Sequence, residues 1–199
     1  VFVFLNNQGV IVTDDTTIPY AAYVLIGMVL WQTFVESVNA PLKVVTASKS
    51  TLAKINFPYE ALIFSAIGQV LFGFAIKTII IIGVFIAFEV PITWGLPLSL
   101  LVVLGLILLG TSIGALITPM AVLFNDVSFG LMSGLTLWFF VTPVVYSTPN
   151  TYPISLLSTV NPVSPLLIAA RDLATTGSTT NLLPLLIVLI GTISSLLLI

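Results

Sequence analysis

The sequence predicts an all-α polytopic membrane protein, and three observations lead there. Of the 199 residues, 58% are hydrophobic and only 6% charged, with a mean hydropathy of +1.23. A soluble domain carries about 25% charged residues, so this chain has too few polar groups to cover a surface in water. The apolar residues gather into stretches near the ~20 residues that cross a ~30 Å hydrocarbon core as a helix. The few charges fall mostly between those stretches.

Composition also excludes whole classes of chemistry. There is no Cys and no His. A disulfide framework, a thiol nucleophile and zinc or haem sites built from those ligands are therefore out. A net charge of −2 gives nucleic acid no electrostatic footprint. No G-x-x-x-x-G-K-[ST] pattern occurs, so the chain is not expected to hydrolyse ATP itself.

Five stretches read as spans: about 19–38, 61–88, 96–124, 129–146 and 181–199. The opening "VFVFL", residues 1–5, reads as the tail of a further span, giving six in the parent protein. The chain opens on Val1 and stops at Ile199 within an apolar run, which reads as truncation at both ends. Three of the five positive residues, Lys43, Lys49 and Lys54, lie between the first two full spans. The positive-inside rule places that loop, 40–60, in the cytoplasm. Alternation then puts Asp14, Asp15, Glu89 and the 147–180 segment outside, and Asn125 to Ser128 inside.

The 147–180 segment alternates proline-marked turns with apolar pieces too short to span. Residues 154–160 and 165–173 fit short helices, the second ending near Gly177 as a C-cap. Short apolar pieces of this kind are more often interfacial or re-entrant than spanning. A re-entrant hairpin packed against protein is expected; an amphipathic hairpin flat on the outer surface is the alternative.

The strings "PYAAYVLIGMVLWQTFVESV", "LAKINFP", "FNDVSFG", "TPVVYS" and "NPVSPLLIAARDLATTG" occur in this order. In order and spacing the chain resembles the membrane subunit (permease) of ABC exporters for polysaccharides and polyol phosphates. That group includes the O-antigen, capsule and teichoic acid exporters. The resemblance covers roughly residues 19–177. It implies the six-span exporter permease fold in the cytoplasmic (inner) membrane, with a second copy of the chain around a central conduit. Two ATP-binding cassette subunits would dock beneath, holding the ATP and magnesium, with no cofactor on this chain. The cargo implied is a lipid-linked glycan or polyol phosphate.

For individual residues, the resemblance makes the cytoplasmic loop a coupling segment. Lys49, Leu52, Lys54, Phe57 and Pro58 would dock on the ATPase, with Phe57 as apolar anchor and Pro58 as the break before the next span. The plainer reading is that the lysines only set topology. Asp126 stands where relatives have an Arg-Asp pair, with Asn125 in the Arg position; it either contacts the partner or caps the helix beginning near Ser128. Pro143, Tyr146, Asn161, Pro162 and Arg171 match the outer gate region. Arg171 would meet an anionic group on the exiting cargo, or else pair with Asp172 or lipid phosphate.

Lys77 lies about 22 Å along its helix from Leu62, near mid-bilayer, where a charge costs about 3 kcal/mol and is a functional hypothesis by default. It would meet a phosphate-bearing substrate, or else snorkel or stay uncharged. Trp31 is the leading conduit-lining aromatic, and Tyr20 either joins it or belongs to the interfacial belt. Two rivals remain: a secondary transporter, and a polytopic enzyme on lipid-linked sugars. Gly105, Gly110 and Gly114 suit close helix packing.

Overall fold

The computed structural model describes residues 18–49, 58–146, 160–179 and 182–197, and across them it contains six α-helices and no strand. In chain order these are α1 (Tyr20–Ala47), α2 (Tyr59–Ala87), α3 (Leu96–Leu123), α4 (Asn125–Val141), α5 (Val163–Thr175) and α6 (Leu182–Leu197). Three of them, α1, α2 and α3, are long and apolar enough to cross a membrane. The helices α4 and α6 are shorter apolar segments of 17 and 16 residues.

α1 is the centre of the bundle, packed against both α3 and α2. Its approach to α3 depends on the Gly110 and Gly114 pair. A Cβ at Gly110 would lie 2.6 Å from Ser37 Cβ and 3.0 Å from the Phe34 carbonyl oxygen. One at Gly114 would overlap the Val38 carbonyl oxygen. Helix association in lipid relies on such close backbone contact, and the glycines do what their spacing predicts.

α1 also runs past residue 38 to Ala47, through Pro41. The first half of the expected loop 40–60 is therefore helix. Ala40, Pro41 and Val44 are buried, and Pro41 lies beside Gly114. Packing on α3 offsets the hydrogen bond that proline removes. The fourth helix begins at Asn125 and ends at Val141, earlier at both ends than the span drawn from sequence.

α5 begins after Pro162 and stops at Gly177, whose φ of +77° suits glycine. Thr176 and Gly177 N–H groups both donate to the Asp172 carbonyl, at 2.7 and 3.2 Å. α5 is enclosed by α1, α3 and α6, and nearly all its residues are buried. A helix lying flat on the surface would expose one whole side. Residues 147–159, which hold the expected partner helix, fall outside the described residues.

Candidate functional site

The N-terminal end of α1 meets the turn after α4. In that turn, residues 143–146, side chains occupy the carbonyls in succession. Arg171 Nη2 donates to the Val144 oxygen at 2.8 Å, Tyr20 Oη to Val145 at 2.9 Å and Tyr23 Oη to Tyr146 at 3.2 Å. Buried backbone acceptors demand such partners. Arg171 is only 2% exposed, with its Cζ 3.7 Å from the Tyr23 ring centroid.

Gly27 makes this crossing possible. A Cβ there would overlap both Arg171 Nη2 and the Val144 oxygen. The α1 backbone at Gly27 is thus the slot through which α5 reaches the turn. Burial lowers the pKa of the Arg171 guanidinium, with Tyr23 and Asp172 opposing; arginine nevertheless keeps its charge. Burial also pushes the Asp172 carboxyl up, against the pull of the Arg171 charge.

Asn161 ties the other side of the same cluster. Its Oδ1 accepts from Trp138 Nε1 and from the Val163 N–H, each at 3.0 Å, and its Nδ2 donates to Thr142 Oγ1 at 2.8 Å. One side chain therefore caps α5 and fastens it to the end of α4. Tyr146 Oη donates back to the Phe140 and Val141 carbonyls at 3.2 Å. The structure brings Pro143, Tyr146, Asn161, Pro162 and Arg171 together around one turn, and adds Tyr20 and Tyr23. Arg171 is enclosed by this chain's own helices, and it makes no ion pair with Asp172 among the described residues.

Deeper in the bundle, Lys77 Nζ lies 2.5 Å from Glu36 Oε2, with side-chain exposures of 15% and 43%. This is the single ion pair among the described residues. It joins α2 to α1 inside two candidate spans, so Lys77 does not stand alone. The apolar run reads as a span ending near 38, which would put Glu36 at its end, but α1 continues to Ala47. The longer α1 moves it inward.

Glu36 also borders a groove of about 350 Å³ between α1 and α4, shared with Trp31, Gln32, Val35, Met132, Leu135 and Thr136. Trp31 packs on Phe34 at 5.3 Å and Phe139 at 5.7 Å, ring centroid to centroid, and Phe34 packs on Trp138 at 5.6 Å. Of these aromatics Trp31 alone lines the groove, beside the Gln32 amide, the Glu36 carboxylate and the Thr136 hydroxyl.

At the other end of the bundle, Lys49 Nζ donates to the Val122 carbonyl at 3.5 Å, capping the last turn of α3. A cation is favourable there. Asp126 is exposed in the first turn of α4 and makes no capping bond. The expected cap is corrected because the helix starts at Asn125, which leaves Asp126 inside the first turn to act on its dipole alone. Pro58, in extended backbone, directly precedes α2. Leu52, Lys54 and Phe57 lie outside the described residues. No group of His, Cys, Asp or Glu able to hold a metal occurs among the described residues.

Fold and site together describe a multi-pass α-helical membrane protein with a tied turn after α4 and an ion pair between two candidate spans. Comparison with known proteins narrows the kind. The chain is 27% identical over 124 residues, 62% of its length, to the O-antigen export system permease protein RfbA of Myxococcus xanthus. It is 23% identical over 166 residues, 80% of its length, to the O-antigen export system permease protein RfbA of Klebsiella pneumoniae. The matched parts are 48% and 62% of those relatives, so the chain spans about half to three-fifths of their length. No protein-family model matches the chain.

Proposed function

We propose that this chain is the transmembrane part of a permease subunit in an ABC exporter, one that moves a lipid-linked polysaccharide or polyol phosphate outward across the cytoplasmic membrane. The observation that carries this reading is the similarity to two O-antigen export permeases, one of them along four-fifths of the chain. In this mechanism two copies pair around a conduit, and two ATP-binding subunits dock at the cytoplasmic elbow ending at Pro58. The nucleotide and its magnesium sit on those subunits. ATP binding there favours one packing of the spans over another, and the elbow transmits that difference in affinity.

The wall of Trp31, Gln32, Glu36 and Thr136 is the part of this chain suited to sugar hydroxyls. Lys77 sits behind Glu36 and cancels its charge, which lets the wall accept hydrogen bonds without repelling a phosphate-bearing cargo. Arg171 acts by holding the outer turn rather than by touching cargo. A secondary transporter is the second reading. The Glu36–Lys77 pair favours it, since ion-coupled carriers place ionisable groups within their spans.

Co-purification separates the two. Expressed with the genes beside its own, the tagged full-length protein should bring down an ATP-binding subunit in equal amount. Transport driven by an ion gradient with no such subunit present would overturn the exporter reading.

A further inference from the structure

The structure holds a second cavity, about 380 Å³, bordered by α1, α2, α3 and α5. Each helix contributes residues from successive turns: Ile26 and Leu30; Phe74, Thr78, Ile82 and Ile86; Leu96, Leu100 and Val103; Ala170 and Ala174. The floor (Leu30, Phe74, Val103, Ala170, Ala174) is buried, whereas Ile82, Ile86, Ile92 and Leu100 at the rim are more than half exposed. The cavity therefore opens sideways, on the outer faces of two candidate spans.

Its chemistry admits only hydrocarbon. The two hydroxyls on its walls are already used: Thr78 donates to the Phe74 carbonyl at 3.0 Å and Ser99 to the Ala170 carbonyl at 2.6 Å. Its length matches one leaflet. From Phe74 to Ile86 the α2 wall rises about 18 Å, against the ~15 Å half-thickness of a bilayer core. Trp94, between the rim residues Ile92 and Leu96 in sequence, is 99% exposed, as suits an aromatic at headgroup level.

We infer that this cavity is a binding site for one acyl chain of a bilayer phospholipid, taken from the leaflet on the Trp94 side. A slim chain fills the slot end to end, leaves its headgroup at the interface and makes no demand for polar partners. The chain would lie against Ala170 and Ala174, flanking Arg171, and so brace α5 where it holds the outer turn. The site depends on the membrane character of the protein and not on what the protein carries.

The test uses native mass spectrometry of the full-length protein in detergent with added palmitoyl-oleoyl phosphatidylglycerol. The wild type should retain one lipid per chain, and the lipid should raise its melting temperature. Val103→Phe, which fills the floor, and Ile82→Trp, which plugs the exposed mouth, should lose both effects. Ile79→Trp, exposed on the same helix but off the cavity, should keep them. Helical circular dichroism shows whether each variant folds, and Ile82→Trp, at an exposed rim, carries the test if Val103→Phe does not. Equal lipid retention by a folded Ile82→Trp, a wild type without bound phospholipid, or a polyprenyl phosphate or second chain in the slot would each overturn the proposal.

Discussion

The guanidinium of Arg171 lies across α1 directly against Gly27, in space that a single added methyl would fill. Two residues far apart in sequence thus define how the enclosed helix α5 meets the first span. The charge of Arg171 is met by the Tyr23 ring and the Val144 carbonyl instead of a carboxylate.

Gly27→Ala should therefore be strongly destabilising for an exchange that helix propensity favours. Overpacking a closed contact costs about 1–3 kcal/mol, while alanine gains up to ~1 kcal/mol over glycine in a helix. The net expectation is a lowered melting temperature in detergent. An unchanged or raised value would mean that Arg171 does not occupy this slot.

Arg171→Lys should not rescue the site. Lysine keeps the charge but loses the planar face that rests on Tyr23 and the fork that reaches Val144. Loss of a buried charged hydrogen bond costs about 1.5–3 kcal/mol. Thermal unfolding should place Arg171→Lys well below wild type and close to Arg171→Met.

The Glu36–Lys77 pair makes a prediction about coupling. Glu36→Gln and Lys77→Met each strand a charge within the bundle, whereas the double variant strands none. Interaction energies for such contacts fall at about 0.5–3 kcal/mol, and the 43% exposure of Glu36 argues for the lower half. The double variant should be more stable than the sum of the single losses. Strict additivity would show that the two groups do not meet.

Glu89 follows α2 in a left-handed conformation, φ +51°, with the Val90 N–H closing on the Phe85 carbonyl at 3.0 Å. Helices usually place glycine here. Glu89→Gly should raise stability by about 1 kcal/mol, measured by thermal melting, with no change in partner binding.

Much of this fold was legible from composition and spacing. Long apolar runs mark α2, α3 and the start of α1 within a few residues, Gly110 and Gly114 mark the close contact of α3 with α1, and Gly177 marks the end of α5. The outer residues from Pro143 to Arg171 were grouped by resemblance, and the structure gathers them. What stayed hidden was pairing. The apolar run fades near residue 38, yet packing carries α1 on to Ala47, which places Glu36 within the helix and beside Lys77. Nothing local to "VLIGMVL" shows that an arginine from a distant segment lies on Gly27. The carbonyl ligands of residues 144–146 were likewise invisible, because a backbone acceptor has no sequence signature.

On the proposed exporter reading, an ATP-binding partner drives the movement of cargo through this protein. Surface display of a labelled lipid-linked glycan, measured in cells carrying the full-length protein with a partner that binds ATP but cannot hydrolyse it, tests this most directly. Display should fall to background while the complex still assembles. Display at the wild-type rate with the inactive partner would contradict the account.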